Sequence, residues 1–177
     1  KQVRTAAGPG AAKAGLIVAD AADEEALSAI AAQTKVVVST AGPFALYGSA
    51  LVAACVDHGT HYCDITGETP WVREMIDRHH EQAAADGTRI VPCCGFDSVP
   101  SDIGALLVAS EVRRSSGQPC VRIKACHSIR GGLNGGTLAS LLNIAEAGAL
   151  DQLADTFLLN PEGTAPAERS AHTDPLA

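Results

Sequence analysis

The sequence predicts an open α/β fold with a parallel sheet, and three observations lead to that prediction. Short apolar runs that suit buried strands alternate with longer segments of helical periodicity. The links between them are short, as in parallel sheets whose strands are joined by crossover helices. Three of the strand-like runs also end in glycine and polar residues, in the stretches 36–44, 60–68 and 89–98. Because ligands bind beyond the carboxyl ends of the strands in such sheets, these ends predict one shared site.

Four strands are expected, at 16–19, 35–39, 60–64 and 88–92. Val36, Val37 and Val38 stand in a row, which suits a strand covered on both faces. Gly42 then allows a close approach of the backbone to a neighbouring group, and Pro43 fixes the turn.

Helices are expected at 23–33, 47–58, 69–86 and 100–114. The acidic residues of 23–25 complement the dipole of the first helix, and Thr69 as cap with Pro70 in the first turn suits the start of the third. Gly59 and Gly87 mark two helix ends. The side chains expected to face the core are Leu51, Val52, Cys55, Val56, Met75, Ile76, His79, Ala83, Ile103, Leu106, Leu107 and Val108.

The pattern changes after residue 117. Residues 121–129 alternate as a strand with one covered face does, and 137–150 form an apolar helix after a glycine-rich loop at 131–136. That loop lacks the spacing of a dinucleotide or Walker loop, but at a helix N-terminus it could face an acyl or carboxylate group. Residues 160–177 suit a loop or a disordered tail. The predicted units are 1–117, 118–159 and 160–177.

Composition restricts the classes of partner. The net charge of -7 and the pI of about 5.2 argue against nucleic acid, because no basic patch is available to hold phosphates. The chain is 46% hydrophobic and 3% aromatic, so its core must be built from Ala, Val, Leu and Ile. No apolar run approaches the ~20 residues of a membrane span, so no transmembrane segment is expected.

The cysteines and histidines are expected to be structural, and we do not favour a zinc site or a catalytic thiol among them. The six cysteines form no C-x-x-C pair and indicate reduced core residues of a cytoplasmic protein. His58, His61 and Cys63 suggest a zinc site, but a fourth ligand is not evident, so no metal is expected. Cys93 and Cys94 could supply a thiol nucleophile, although no base partner is apparent.

Each strand-end motif also has an ordinary structural interpretation. The turn at Gly42 could be a strand-to-helix turn that needs glycine, and Asp97 with Ser98 could be a helix cap. Asp64 and Glu68 could perform acid–base chemistry or bind a ribose, or Asp64 could cap a turn while Glu68 pairs with a base. The repetition of the layout at three strand ends favours a site.

At these motifs the sequence resembles the saccharopine dehydrogenase-like oxidoreductases, and it is most similar to their trans-acting enoyl reductase branch. The residues that carry the resemblance are 39–44 with Tyr47 and Gly48, then 64–68, and then 95–102. It covers about residues 16–150. The joint spacing of the three motifs is specific to the superfamily and much less specific to one substrate.

The resemblance implies a Rossmann domain that binds NADP or NAD, here a partial doubly wound parallel sheet with strands 3–6, followed by the start of an α+β substrate domain from residue 118. It implies cofactor binding by Asp20, Thr40, Ala41, Gly42, Pro43, Phe44, Gly67, Gly95, Phe96, Asp97 and Ser98. Gly42 and Pro43 would lie at the ribose and nicotinamide end, and Asp20 near the adenine. Tyr47, Asp64 and Glu68 are catalytic candidates on position only.

One departure from the family pattern affects the expected fold. The family begins with a strand, a glycine-rich pyrophosphate loop, a helix and a second strand, and the sequence shows none of these before residue 16. We therefore expect a fragment of a larger oxidoreductase, inactive alone, in which the strand 16–19 lacks neighbours and leaves backbone groups unpaired. The residue that would choose between NAD and NADP lies outside the sequence.

The functional prediction is an NAD(P)-dependent oxidoreductase that reduces an enoyl group on a small-molecule or lipid-linked acyl thioester. The rival is a non-catalytic, lipid-associated scaffold that keeps the fold. A third alternative is an amino-acid dehydrogenase acting on an imine, which would need a carboxylate-binding arginine such as Arg130. A homodimer and a peripheral position on a membrane or lipid remain open.

Overall fold

The computed structural model describes residues 14–128, 130–132, 135–155 and 157–161. The strands are β1 (Val36–Ser39), β2 (His61–Asp64) and β3 (Ile90–Val91). The helices are α1 (Glu24–Ala31), α2 (Phe44–Tyr47), α3 (Ser49–Asp57), α4 (Thr69–Asp86), α5 (Val99–Ser116), α6 (Gly135–Glu146) and α7 (Leu150–Leu153). Strands and helices alternate from α1 to α5, which confirms the predicted α/β class.

The three strands form one parallel sheet in the order β1-β2-β3. Ser39 at the end of β1 pairs with Asp64 at the end of β2, and Cys63 pairs with Val91 at the end of β3. The carboxyl ends of all three strands therefore lie side by side at one edge of the sheet. This arrangement is the one on which the prediction of a shared site depended.

One face of the sheet is covered by helices. Val37, Tyr62 and Ile90 form a row across the three strands on that face, and the core joins this row to α3 and α4. The ring of Trp71 in α4 lies 5.8 Å from that of Phe44 in α2. The central core cluster consists of Ala31, Phe44, Val52, Ala54, Cys55, Tyr62, Trp71, Val72 and Met75.

Local sequence signals account for the helix boundaries. Asp23 caps α1, with its side chain accepting a hydrogen bond from the backbone N–H of Ala26 at 3.0 Å. Gly87 ends α4 in the left-handed conformation with φ of 74°, which glycine adopts without steric cost. Pro70 lies in the first turn of α4 as predicted, but the cap position belongs to Glu68 and not to Thr69.

The opposite face of the sheet is open, so the prediction that β1 is covered on both faces is wrong. Val36 is 50% exposed, Val38 66% and Val91 48%. These residues alternate with the buried row and point away from it. Among the described elements, the helices that pack on the sheet all contribute to the core on the one side.

Three further sequence expectations are wrong for the same reason, which is the lack of a described partner. Residues 16–19 form no strand, and Val18 is 90% exposed. Residues 121–128 form no strand either, while position 129 lies outside the described residues. Helix α5 buries none of its side chains, so its expected inner residues Ile103, Leu106, Leu107 and Val108 face outward. A strand or an apolar helix face is stable only when another element pairs with it or covers it.

The six cysteines are all free thiols. Cys55 is buried in the core as predicted, but Cys94 and Cys126 are exposed, so the expectation of core cysteines fails for those two. Within the described segments, no helix combines the length and the apolar character that crossing a bilayer demands. Most of the predicted tail, from residue 162 onward, lies outside the described residues.

Candidate functional site

The three strand ends and helix α6 enclose a cleft of about 400 Å³. The loop after β1 supplies one wall, the loop after β2 supplies the floor, and Asp97 reaches in from the loop after β3. Helix α6 and the end of α7 close the opposite side. The lining residues are Thr40, Gly42, Phe44, Ile65, Gly67, Glu68, Asp97, Gly136, Thr137, Ser140, Leu141, Ile144 and Leu153.

Asp64 ties the ends of β2 and β3 together from beneath the cleft. Its side chain is fully buried, and its Oδ1 accepts hydrogen bonds from the backbone N–H groups of Thr66 and Cys93, each at 3.0 Å. Its Oδ2 accepts from the Tyr62 hydroxyl at 2.9 Å, and its backbone carbonyl accepts from the N–H of Cys94 at 2.7 Å. A buried carboxylate with so many donors holds loops in place, and Asp64 has no surface with which to touch a ligand.

Glu68 ties the end of β2 to the loop after β1. It is 2% exposed, and its two oxygens accept from the backbone N–H groups of Phe44 at 2.8 Å and Ala45 at 3.0 Å. Its Oε1 also accepts from the Ser140 hydroxyl of α6 at 2.7 Å. Its own N–H donates to Thr66 Oγ1 at 3.0 Å. Glu68 therefore contacts both walls of the cleft at once.

Tyr62 and Cys93 show how much the buried network constrains its neighbours. Burial and the adjacent Asp64 carboxylate raise the pKa of Tyr62, which also hydrogen-bonds to Ser39 at the end of β1. Cys93 has φ of 61°, a left-handed conformation that costs a residue other than glycine about 1–2 kcal/mol. The bond from Cys93 N–H to Asp64 holds that conformation in place.

Glycines keep the rim of the cleft free of side chains. Gly42 and Gly67 are exposed on two of its loops, and the Gly42–Pro43 peptide bond is cis. A Cβ atom on Gly67 would lie 3.6 Å from Asp97 Oδ2. Gly95 is buried, and a Cβ atom there would lie 2.5 Å from Asp97 Oδ1 and 3.4 Å from Ile65. Glycine at position 95 therefore leaves room for the Asp97 side chain, whereas a Cβ atom on Gly67 would make only an ordinary contact.

The structure brings some of the predicted site residues together and separates others. The predicted residues that line the cleft are Thr40, Gly42, Phe44, Gly67, Glu68 and Asp97. Ala41, Pro43, Gly95 and Ser98 belong to the same loops without lining it, and Phe96 is 91% exposed.

Three predicted residues lie away from the cleft. Tyr47 is 48% exposed and borders a different hollow beside α1, because α2 turns its side chain away from the strand ends. Asp64 is buried beneath the rim. Asp20 is exposed before α1, where its Oδ1 accepts from the N–H of Ala22 at 2.9 Å. Position along the chain could not distinguish a lining residue from a neighbour that points elsewhere.

Sequence reasoning missed Ser140 and Thr66. A signal for Ser140 was present, because Thr137, Ser140, Leu141 and Ile144 follow the i, i+3, i+4, i+7 spacing that places them on one helical face. That face lines the cleft. Thr66 links the Asp64 carboxylate to the backbone N–H of Glu68, and this role depends on loop geometry that no spacing encodes.

The suspected zinc ligands and thiol nucleophile have other contacts. His58 Nε2 lies 2.8 Å from Ser28 Oγ, and His61 Nδ1 accepts from the N–H of Arg89 at 3.1 Å. Burial raises the pKa of the Cys93 thiol to about 11, so that this thiol is protonated at neutral pH and is a poor nucleophile.

The sequence profile of the saccharopine dehydrogenase NADP binding domain matches residues 3–91, which span half of the chain and include all three strands. The chain belongs to this family. The family match confirms the resemblance drawn from the strand-end motifs, and it confirms NADP among the predicted cofactors. No solved structure matches the chain.

Several curated relatives share a name. A trans-acting enoyl reductase of Mycobacterium leprae (strain TN) is 52% identical over 103 residues, which cover 58% of this chain and 25% of the relative. A trans-acting enoyl reductase of Mycobacterium tuberculosis (strain ATCC 25618 / H37Rv) is 39% identical over 161 residues, which cover 90% of this chain and 38% of the relative. A second protein of that strain, named as a candidate enzyme of this kind, is 40% identical over 178 residues, covering 97% and 42%. The chain thus spans about two fifths of the length of these last two relatives.

Proposed function

We propose that the cleft binds the nicotinamide end of NADPH and that the protein takes part in reducing an unsaturated acyl thioester. The observation that carries this proposal is the meeting of three glycine-bearing strand ends with the apolar face of α6 in one cleft. The family membership supports the cofactor, and the names of the relatives support the reaction.

The residues present fit the nicotinamide and ribose better than the phosphates. The lining carries two acidic side chains, Glu68 and Asp97, and no lysine or arginine among the described residues. A neutral dihydronicotinamide and its hydroxyl-bearing ribose can accept such surroundings, whereas a pyrophosphate would be repelled. The bare backbone at Gly42 and Gly67 lets a flat ring approach closely.

The other side of the cleft suits an apolar acyl chain. Leu141, Ile144 and Leu153 face Ile65 and Phe44 across it. Reduced nicotinamide would supply a hydride to the β-carbon of the enoyl group, and a proton would reach the α-carbon. The chain's own part is to hold the two reactants in contact and to exclude water between them.

The charge of the residues that line the cleft also helps to judge the alternative of an amino-acid dehydrogenase that acts on an imine. An amino-acid substrate needs a cationic partner for its carboxylate, and Arg130 is not among the residues that line the cleft. An acyl thioester has no carboxylate and needs no such partner. This difference favours the thioester over an imino acid.

The two sides of the cleft correspond to two of the units predicted from the sequence. Residues 1–117 would form the cofactor side, and 118–159 would contribute the substrate side through α6. The predicted homodimer and the predicted association with a lipid surface stay open within this proposal.

The proposal is tested by following the transfer of deuterium from NADPH to the acyl product. The full-length protein, of which we expect this chain to be a part, is incubated with trans-2-decenoyl-CoA and NADPH deuterated at C4 of the nicotinamide, and the products are analysed by mass spectrometry. We expect decanoyl-CoA with deuterium at the β-carbon. Saturable NADPH binding without turnover would favour the scaffold. If NADPH does not bind, the cleft is neither the cofactor site of a reductase nor that of a scaffold that keeps the cofactor.

A further inference from the structure

Helix α6 is attached to the rest of the fold mainly through the face that lines the cleft. Ile144 is its one buried residue in the described structure, while Leu138, Leu141 and Leu142 are about half exposed. Ser140 lies one turn before Ile144 on the same face, and its hydroxyl donates to Glu68 Oε1 at 2.7 Å. Ile144 and the hydrogen bond from Ser140 to the carboxylate therefore both contribute to the attachment of α6.

The same carboxylate holds the cofactor-side wall. The N–H groups of Phe44 and Ala45 both point at Glu68, at 2.8 and 3.0 Å. Glu68 itself is fixed by its N–H bond to Thr66 and by burial. The donors that Phe44, Ala45 and Ser140 present to it are all neutral groups. Its charge is thus used to gather donors from both walls.

We propose that Glu68 is a positioning residue that sets the width of the cleft, and that Ser140 is the contact through which it holds the substrate-side wall. This inference rests on the proposed function for its consequence in catalysis, although its structural part does not. Glu68 fixes the Phe44 loop and α6 independently of any ligand. Loss of the Ser140 bond removes only the contact with α6, whereas loss of Glu68 Oε1 affects both walls, because this oxygen accepts from Phe44 and from Ser140.

Hydrogen–deuterium exchange of the protein without ligand tests the structural part. In Ser140→Ala we expect the exchange of amides 139–146 to rise by about tenfold, because a hydrogen bond to a charged group shifts an equilibrium by at least that much. Exchange in α3 should not change. In Glu68→Gln, the new amide N–H must face the N–H of Phe44 or of Ala45, and the neutral side chain accepts more weakly from Ser140 than a carboxylate does. Exchange should therefore rise at Phe44 and Ala45 as well as in α6.

The matched control is Ser110→Ala, which removes an exposed serine hydroxyl from the middle of α5. We expect it to leave exchange in α6 unchanged. Unchanged exchange of α6 in Ser140→Ala would overturn the proposal, and so would an equal rise in α3 and α6, since that would be global destabilisation. A Glu68→Gln variant that loosens α6 but not α2 would overturn the two-wall role.

Kinetics of the full-length protein with NADPH and trans-2-decenoyl-CoA tests the catalytic consequence. Ser140→Ala should raise the KM for the thioester by up to about tenfold, the size of the lost hydrogen bond, and leave the KM for NADPH unchanged. Glu68→Gln should raise both. Equal changes in both KM values for Ser140→Ala would contradict the assignment. If the wild-type protein does not bind NADPH, the proposed function is refuted. The exchange experiment would still test the structural role of Glu68 and Ser140, because it is done without ligand.

Discussion

Asp64 offers the sharpest test of how the strand ends are held, because two substitutions at one position separate its hydrogen bonds from its charge. Asp64→Ala leaves the N–H groups of Thr66 and Cys93 buried without an acceptor. At about 1–3 kcal/mol for each unpaired group, the expected loss in the free energy of unfolding is about 2–6 kcal/mol. Asp64→Asn keeps an oxygen for both N–H groups and can donate to Tyr62, so its expected loss is about 1 kcal/mol.

The assay is urea unfolding followed by the fluorescence of Trp71, the single tryptophan, which is 4% exposed in the folded protein. A lower transition midpoint with an unchanged slope reports lost stability. Tyr62→Phe serves as a third variant, since it removes the donor to Oδ2 and leaves the two backbone bonds intact. Equal losses for Asp64→Ala and Asp64→Asn, or a loss below about 1 kcal/mol for Asp64→Ala, would refute the network as the support of the rim.

Two further predictions concern packing and alkaline pH. Gly48→Ala should cost about 1–3 kcal/mol in urea unfolding, because its Cβ would lie 2.7 Å from the Phe44 carbonyl oxygen and 2.8 Å from the Trp71 ring. Gly104→Ala, in helix α5 with open space around the new Cβ, should instead stabilise by up to about 1 kcal/mol, and a loss at both sites equally would contradict the packing argument. Burial raises the pKa of Cys55 from 9.0 to about 11, so the unfolded thiol ionises first and stability should fall by up to about 3 kcal/mol as pH rises from 9 to 11. Cys55→Ala should lose less stability over that interval, and an identical fall in both proteins would show that Cys55 is not responsible.

The sheet and its site edge could be predicted because the signals are local. Runs such as 36–38 and 61–64 have strand propensity, and the turns that follow them require glycine whatever else the chain does. Short links and alternation with helices then force a parallel sheet, and a parallel sheet places its carboxyl ends together. Glu68 and Asp97 could be assigned to the cleft on this reasoning alone.

The errors arose where a pattern depends on a partner. Residues 16–19 and 121–128 have strand-like sequences, but a strand needs a neighbour for its backbone groups, and the described chain gives them none. The apolar face of α5 is exposed for the corresponding reason. Periodicity shows which face of an element could be buried, and only the rest of the fold decides whether anything covers it.

The roles of Asp64 and Tyr47 could not be read from the sequence. Both stand within a few residues of lining positions, yet Asp64 points beneath the rim and Tyr47 points beside α1. A carboxylate after a strand is equally compatible with a ligand and with a buried loop contact. The distinction depends on side-chain direction in irregular backbone, where neither the period of a helix nor that of a strand applies.

The most direct test of the account is an NMR titration of the ¹⁵N-labelled protein with NADPH. If the strand ends form one nicotinamide site, the backbone amides of 40–44, 65–68 and 95–98 should shift together along one saturation curve, with smaller shifts in α6. Shifts confined to one of these three segments would contradict it. So would shifts clustered instead in the groove between α4 and β3, which Met75, Ile76, His79 and Ile90 line.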